Sequence, residues 1–157
     1  VLLLAAILAA GLIPRAPSSE SLTILGRADQ LASDIRYAQM LAMTTTTNPA
    51  LTARRGYCIR LTTSTYAIQE GYDAVTPANN CITAVAHPAA LQQPLQLCSG
   101  CMTLTNLPNN YVQFDGLGIP YSAAATALAA NATIQLIDGG ITKTITISAV
   151  TGRVVVQ

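Results

Sequence analysis

The chain opens on thirteen residues without a polar side chain, Val1-Leu2-Leu3-Leu4-Ala5-Ala6-Ile7-Leu8-Ala9-Ala10-Gly11-Leu12-Ile13, and then meets Pro14 and Pro17. As a helix the run spans about 20 Å at 1.5 Å per residue, short of the roughly 30 Å of a hydrocarbon core. Two readings fit such a run: the hydrophobic region of a signal peptide and a buried core helix. No A-x-A-like cleavage site separates the run cleanly from the residues after it. The two prolines remove backbone donors and clash with the preceding turn, and Gly11 weakens the helix further. A non-helical stretch is therefore expected within residues 11–19.

Ser18 or Ser19 then offers an N-cap, and Glu20 favours a first helical turn. Ile24, Ala28, Leu31, Ile35, Ala38 and Ala42 recur at alternating spacings of four and three, one apolar stripe of an amphipathic helix. Arg27, Asp29, Gln30, Ser33, Asp34 and Arg36 are placed off the stripe. The threonines at 44–47 and Asn48-Pro49 are expected to end the helix.

After Pro49 the period changes to two. Tyr57–Thr62 and Thr65–Gln69 predict a hairpin around Thr63-Ser64, and Gly139-Gly140 joins strands Thr133–Asp138 and Ile141–Ser148. Met102–Leu107 and Tyr111–Asp115 are short strands, and Thr151-Gly152 turns into a last one, Arg153–Val156. Residues 71–100 and 116–132 lack a clear period and are expected to be an irregular loop and an Ala-rich connection. The fold class is α+β: a long N-terminal helix on a mostly antiparallel sheet. Its core is expected from the helix stripe against Ile59, Leu61, Phe114, Ile134, Leu136, Ile145 and Ile147.

Composition narrows the function. Only 10% of the 157 residues are charged and the net charge is +1, too little basic surplus for a dedicated nucleic-acid protein. At 51% hydrophobic residues, a disordered polyelectrolyte is excluded as well. No catalytic motif stands out, and no catalytic, cofactor or metal residue is assigned. His87, the single histidine, reads as a solvated loop residue beside Pro88. Asp115 and Asp138 end strands and read as turn formers. Gly116-x-Gly118 lacks the rest of a dinucleotide fingerprint. Asn131-Ala132-Thr133 is an acceptor sequon only in a glycosylating host. Arg54, Arg55, Arg60 and Arg153 are a candidate basic patch; the alternative is four solvated arginines.

The four cysteines, Cys58, Cys81, Cys98 and Cys101, allow three pairings as two disulfides. The pairing expected is Cys58–Cys81 with Cys98–Cys101, the second a tight local bridge. A zinc site is the competing reading, but Cys98-x2-Cys101 supplies only half of one and the other two cysteines are 23 apart. A thioredoxin-like redox role needs the pair at a helix start. Closing the 58–81 loop is expected to stabilise by about 3 kcal/mol, so Cys58→Ser should lower thermal stability more than Cys98→Ser.

The order of parts, an apolar helix, a proline break, an amphipathic helix and a β-rich head, resembles that of type IV pilins and pseudopilins. Three words narrow the resemblance to the H-type minor pseudopilin and fimbrial T family. Asp34-Ile35-Arg36-Tyr37-Ala38-Gln39-Met40-Leu41-Ala42 is similar to its L-R-x-A-Q-x-x-A helix segment. Val112-Gln113-Phe114-Asp115-Gly116-Leu117-Gly118-Ile119-Pro120 is similar to its F-x-F-D-x-x-G-x-P segment. Thr144–Val154 resembles its closing strand–TG–strand hairpin. A cysteine in the first strand, Cys58, is similar to the C-type prepilins of mannose-sensitive haemagglutinin pili.

The resemblance implies three regions: an apolar filament-core or membrane segment at 1–17, an amphipathic helix at 18–48 and a β-rich head at 49–157. It implies a structural subunit, not an enzyme, that polymerises into an extracellular type IV pilus or pseudopilus. Val1, Leu2, Leu3, Leu4, Ile7, Leu8, Leu12 and Ile13 would form the filament interface, and Gly11, Pro14 and Pro17 the helix break. Its partners would be copies of itself and other pilins, with the inner membrane holding it before assembly. About eight more apolar residues ahead of Val1 would complete a span of about 31 Å. The alternative is a minor pilin that binds DNA or a surface, through Arg54, Arg55, Arg60 and Arg153. No cofactor is implied.

Overall fold

The computed structural model describes residues 19–45, 55–72, 83–122 and 126–157. The filament-interface and helix-break residues expected above, together with Cys81 and Arg54, lie outside them. Among the described residues no helix is long and apolar enough to cross a membrane.

One α-helix, α1 (Ser19–Thr45), carries the predicted stripe. Ile24, Ala28, Leu31, Ile35, Ala38 and Ala42 are all fully buried. The first two threonines of the run end the helix from inside it. Thr44 Oγ1 donates back to the Met40 carbonyl (2.9 Å) and Thr45 Oγ1 to that of Leu41 (2.5 Å), side-chain back-bonds that compete with the backbone ladder and weaken the last turn.

Eleven strands follow among the described residues: β1 (Arg55–Leu61), β2 (Thr65–Tyr72), β3 (Thr83–Ala84), β4 (Leu95–Gln96), β5 (Met102–Thr105), β6 (Tyr111–Phe114), β7 (Pro120–Ser122), β8 (Thr126–Ala127), β9 (Ala132–Asp138), β10 (Ile141–Ile147) and β11 (Val154–Val156). They form two antiparallel sheets where one was expected. The first runs β3-β2-β1-β6-β7-β8, with β4 also on β2; the second runs β11-β10-β9-β5. Both hairpins take the register their turns imply, Leu61 opposite Tyr66 and Ile141 opposite Asp138. The stretches 71–100 and 116–132, read as irregular, carry β3, β4, β7 and β8. These are two- and three-residue strands, too short to show a period, and they exist because a neighbouring edge pairs with them.

α1 packs against strands of both sheets, β1 and β6 of the first and β9, β10 and β11 of the second. One core results. Ile59, Leu61, Phe114, Ile134, Leu136, Ile145 and Ile147 fill it together with the helix stripe, as expected. Tyr57, Ile59 and Leu61 face this core, so Cys58 and Arg60 stand on the opposite side of β1.

Cys98 and Cys101 are joined as expected, with Cα atoms 5.7 Å apart. Cys58 has no free thiol, and its expected partner Cys81 lies outside the described residues. The short disulfide loop does more than the local role expected of it. The backbone N–H groups of Leu97 (2.9 Å) and Cys98 (3.3 Å) donate to the Ser64 carbonyl, and that of Met102 donates to Thr63 (3.0 Å), both in the β1–β2 turn. Gly100 N–H donates to Ser64 Oγ at 2.8 Å. From the other side Ile137 N–H, in β9, donates to the Cys101 carbonyl at 2.9 Å. The loop therefore clasps the hairpin tip of the first sheet to the second. The double substitution Cys98→Ser/Cys101→Ser should lower unfolding free energy by about 2 kcal/mol by loop entropy. Hydrogen exchange should rise at Leu97, Gly100, Met102 and Ile137 together; a rise confined to 98–101 would contradict the clasp.

Candidate functional site

The three words of the resemblance lie far apart in the chain and meet at one side chain, Gln39. Its Nε2 donates to the Gly118 carbonyl at 2.8 Å and to the Thr151 carbonyl at 3.3 Å. Each acceptor sits in a tight turn that the local sequence builds. In the first, Asp115 Oδ1 accepts from the N–H groups of Leu117 and Ile119, both at 2.9 Å, so Asp115 is the turn former expected. Gly118 there takes φ +77°, a left-handed conformation that glycine adopts without steric cost. In the second turn Gly152 (φ +65°) donates to the Ser148 carbonyl at 2.9 Å. One helical turn before Gln39, Arg36 Nη2 donates to the Val154 carbonyl at 3.0 Å. Arg153 O and Gln157 N face β10, so the Val154 carbonyl points outward from β11. Arg36 thus closes part of an open sheet edge.

This knot holds α1 to both sheets at once. Its outer rim is apolar: Leu117 and Val150, at the two turn tips, are 77% and 78% exposed, and Met40 and Met43 flank Gln39 on the helix.

A second constellation corrects two expectations. Asp34, placed off the stripe, is buried, and His87, expected in solvent, is buried with it. Asp34 Oδ2 accepts from Tyr66 O–H at 2.5 Å, from Gln30 Nε2 at 3.1 Å and pairs with His87 Nε2 at 3.1 Å. The reason is tertiary. His87 arrives from a segment 53 residues away, pinned to β2 by Val85 N–H donating to the Ile68 carbonyl at 3.1 Å and by Gln93. Gln93 Oε1 accepts from Ile68 N–H at 2.6 Å while its Nε2 donates to the Val85 carbonyl. A signal for Asp34 was present: it lies three residues after Leu31 and four before Ala38, on the same helical face. No sequence signal marks His87.

In this Asp–His pair both imidazole nitrogens are engaged within the fold. His87 Nδ1 accepts from Ala89 N–H at 3.1 Å, which makes Nε2 the nitrogen that donates to Asp34. The cluster is a buried clamp between α1, β2 and the 83–90 segment. Its phenol responds to the burial. Desolvation first, and then the hydrogen bond and charge of Asp34, push the Tyr66 pKa far above the ordinary 10.0.

Three arginines of the candidate basic patch lie among the described residues. Arg55 opens β1, Arg60 is exposed on the outer face of β1, and Arg153 is exposed at the entry to β11, in the other sheet. Among the described residues no three His, Cys, Asp or Glu side chains cluster as metal ligands would. Asn131 is exposed, its Oδ1 accepting from Ala149 N–H at 3.0 Å. Asp138 ends β9 and pairs with Arg27 of α1 at 3.5 Å.

Comparison with family models, with curated proteins and with solved structures returns no match.

Proposed function

We propose that this chain is a structural subunit of a type IV pilus or related pseudopilus, of the H-type pseudopilin and fimbrial T kind, built on a helix-plus-sheet head. The observation that carries the reading is the convergence of its three sequence words on Gln39. Taken singly each word is short. Their meeting through one amide, with both turn glycines in left-handed conformations, gives the three words one physical job: seating the helix on the head.

In this reading the apolar residues 1–13 supply the assembly energy. The head already has a closed core, so the segment buries itself against the same segment of neighbouring subunits, at roughly 25 cal/mol per Å2 of apolar area. Before assembly it resides in the inner membrane of a bacterial envelope; afterwards the heads form the outside of an extracellular filament.

Deleting residues 1–13 should therefore leave a soluble, folded monomer with the far-ultraviolet spectrum of an α+β head. Sedimentation would read its mass. A truncated chain that still polymerises overturns the role assigned to the segment.

A further inference from the structure

We propose that the outer face of the first sheet carries a binding site for a small organic monocarboxylate with an apolar body, with Arg60 as its anion-binding residue. A cleft of about 240 Å3 lies there, between the β1–β2 hairpin and the segment that bears β3 and Pro94. Arg60 lines it from β1, Ala67 is its register neighbour on β2, and Ala84, Gln93 and Pro94 form the far wall. That wall is fixed in place by Gln93, whose two amide ends are bonded to Ile68 and Val85.

Of the polar side chains lining the cleft, Thr62, Thr65, Tyr66 and Gln93 are already engaged, while Gln69 keeps a buried Oε1 without a partner, an acceptor that offers an anion nothing. Thr62 Oγ1 and Thr65 Oγ1 lie 2.9 Å apart and bond each other, and Thr62 Oγ1 also accepts from the N–H groups of Ser64 and Thr65. Gln93 has neither end free. Arg60 differs: it takes part in neither the Arg27–Asp138 nor the His87–Asp34 pair. No described acid competes for its guanidinium. Glu70 stands in register with core-facing Tyr57, on the other face of the sheet, and Asp34 is buried beneath that same face.

A planar fork of donors beside alanine and proline surfaces matches a carboxylate attached to an apolar group. One cation without a second favours a monoanion over a phosphate dianion. The volume is below the about 300–1,000 Å3 usual for drug-sized ligands, which sets the occupant near the size of benzoate. This site is independent of the filament reading.

The test is a titration of the isotope-labelled full chain, in a zwitterionic detergent at constant ionic strength, with sodium benzoate followed by amide resonances. Saturable shifts at Arg60, Ala67 and Ala84 are expected, with a dissociation constant on the order of millimolar. Arg60→Gln should weaken binding by about tenfold or more, Arg60→Lys by less, and Arg153→Gln not at all. Inorganic phosphate and benzyl alcohol, which lack one or other half of the recognised chemistry, should give no saturable shift. Linear shifts with benzoate, equal binding by Arg60→Gln, or phosphate binding as well as benzoate would each overturn the proposal. The phosphate and benzyl alcohol arms need only the native chain, so they decide even if a variant misfolds.

Discussion

Asp34→Ala should destabilise the head by about 2–6 kcal/mol, because two buried donors each lose their acceptor at about 1–3 kcal/mol. The loss has little to do with the missing carboxylate's own packing. It comes from the donors left behind: Tyr66 O–H, His87 Nε2–H and Gln30 Nε2–H all point at Asp34 Oδ2, and the first two belong to buried side chains. A buried donor without an acceptor forfeits its hydration with no return. Urea midpoints would measure the loss. Tyr66→Phe removes one donor together with its need and should cost about 1 kcal/mol. A loss under about 1 kcal/mol for Asp34→Ala would show that the cluster is not the clamp described.

The same cluster sets an alkaline limit. The Tyr66 phenol is held neutral in the fold, its pKa raised above the unfolded value of 10.0. Its contribution is therefore complete below about pH 10 and is lost as pH rises beyond it, at up to about 1.4 kcal/mol per pH unit, because the unfolded chain releases a proton that the fold retains. Tyr66→Phe should abolish its share of that slope. A wild-type stability flat from about pH 9 to about pH 11.5 would contradict the assignment.

The second large effect is expected at Gly152. A Cβ built there overlaps the Gly118 carbonyl oxygen and the Gln39 amide, and it also meets the Phe114 ring edge. The carbonyl is backbone and cannot swing aside. The residue also takes φ +65°, which costs an L-residue about 1–2 kcal/mol by itself. Gly152→Ala should lose about 3 kcal/mol or more, the overlap adding to the conformational term. Gly140→Ala is the internal control: φ is +79° but nothing lies within 4 Å, so only the conformational term applies. Thermal denaturation of the two variants separates the contributions. Equal losses would mean that the turns around Gln39 are not in contact.

These effects show where the sequence was legible and where it was not. The stripe from Ile24 to Ala42 and the hairpins at Thr63-Ser64 and Gly139-Gly140 were readable because periodicity and turn chemistry act within a few residues. The core strands came with them, since alternation already separates Ile145 and Ile147 from their threonine neighbours. Asp34 was misjudged because a polar residue on an apolar face is read as solvent-facing unless its partners are known, and its partners come from Tyr66 and His87. The strands β3, β4, β7 and β8 were missed because pairing with an existing edge, rather than intrinsic preference, makes them strands. The division into two sheets was hidden for the same reason. The three words around Gln39 were each visible, but their common purpose appears only when helix, turn and hairpin are assembled.

The most direct test of the filament reading is electron cryomicroscopy of the full chain after extraction from the envelope of cells that produce it. Helical filaments are expected, with a subunit mass that matches this chain, the apolar N-terminal segments bundled along the axis and the β-rich heads outside. Particles that remain monomeric, or filaments with the heads at the axis and the N-terminal segments at the periphery, would contradict it.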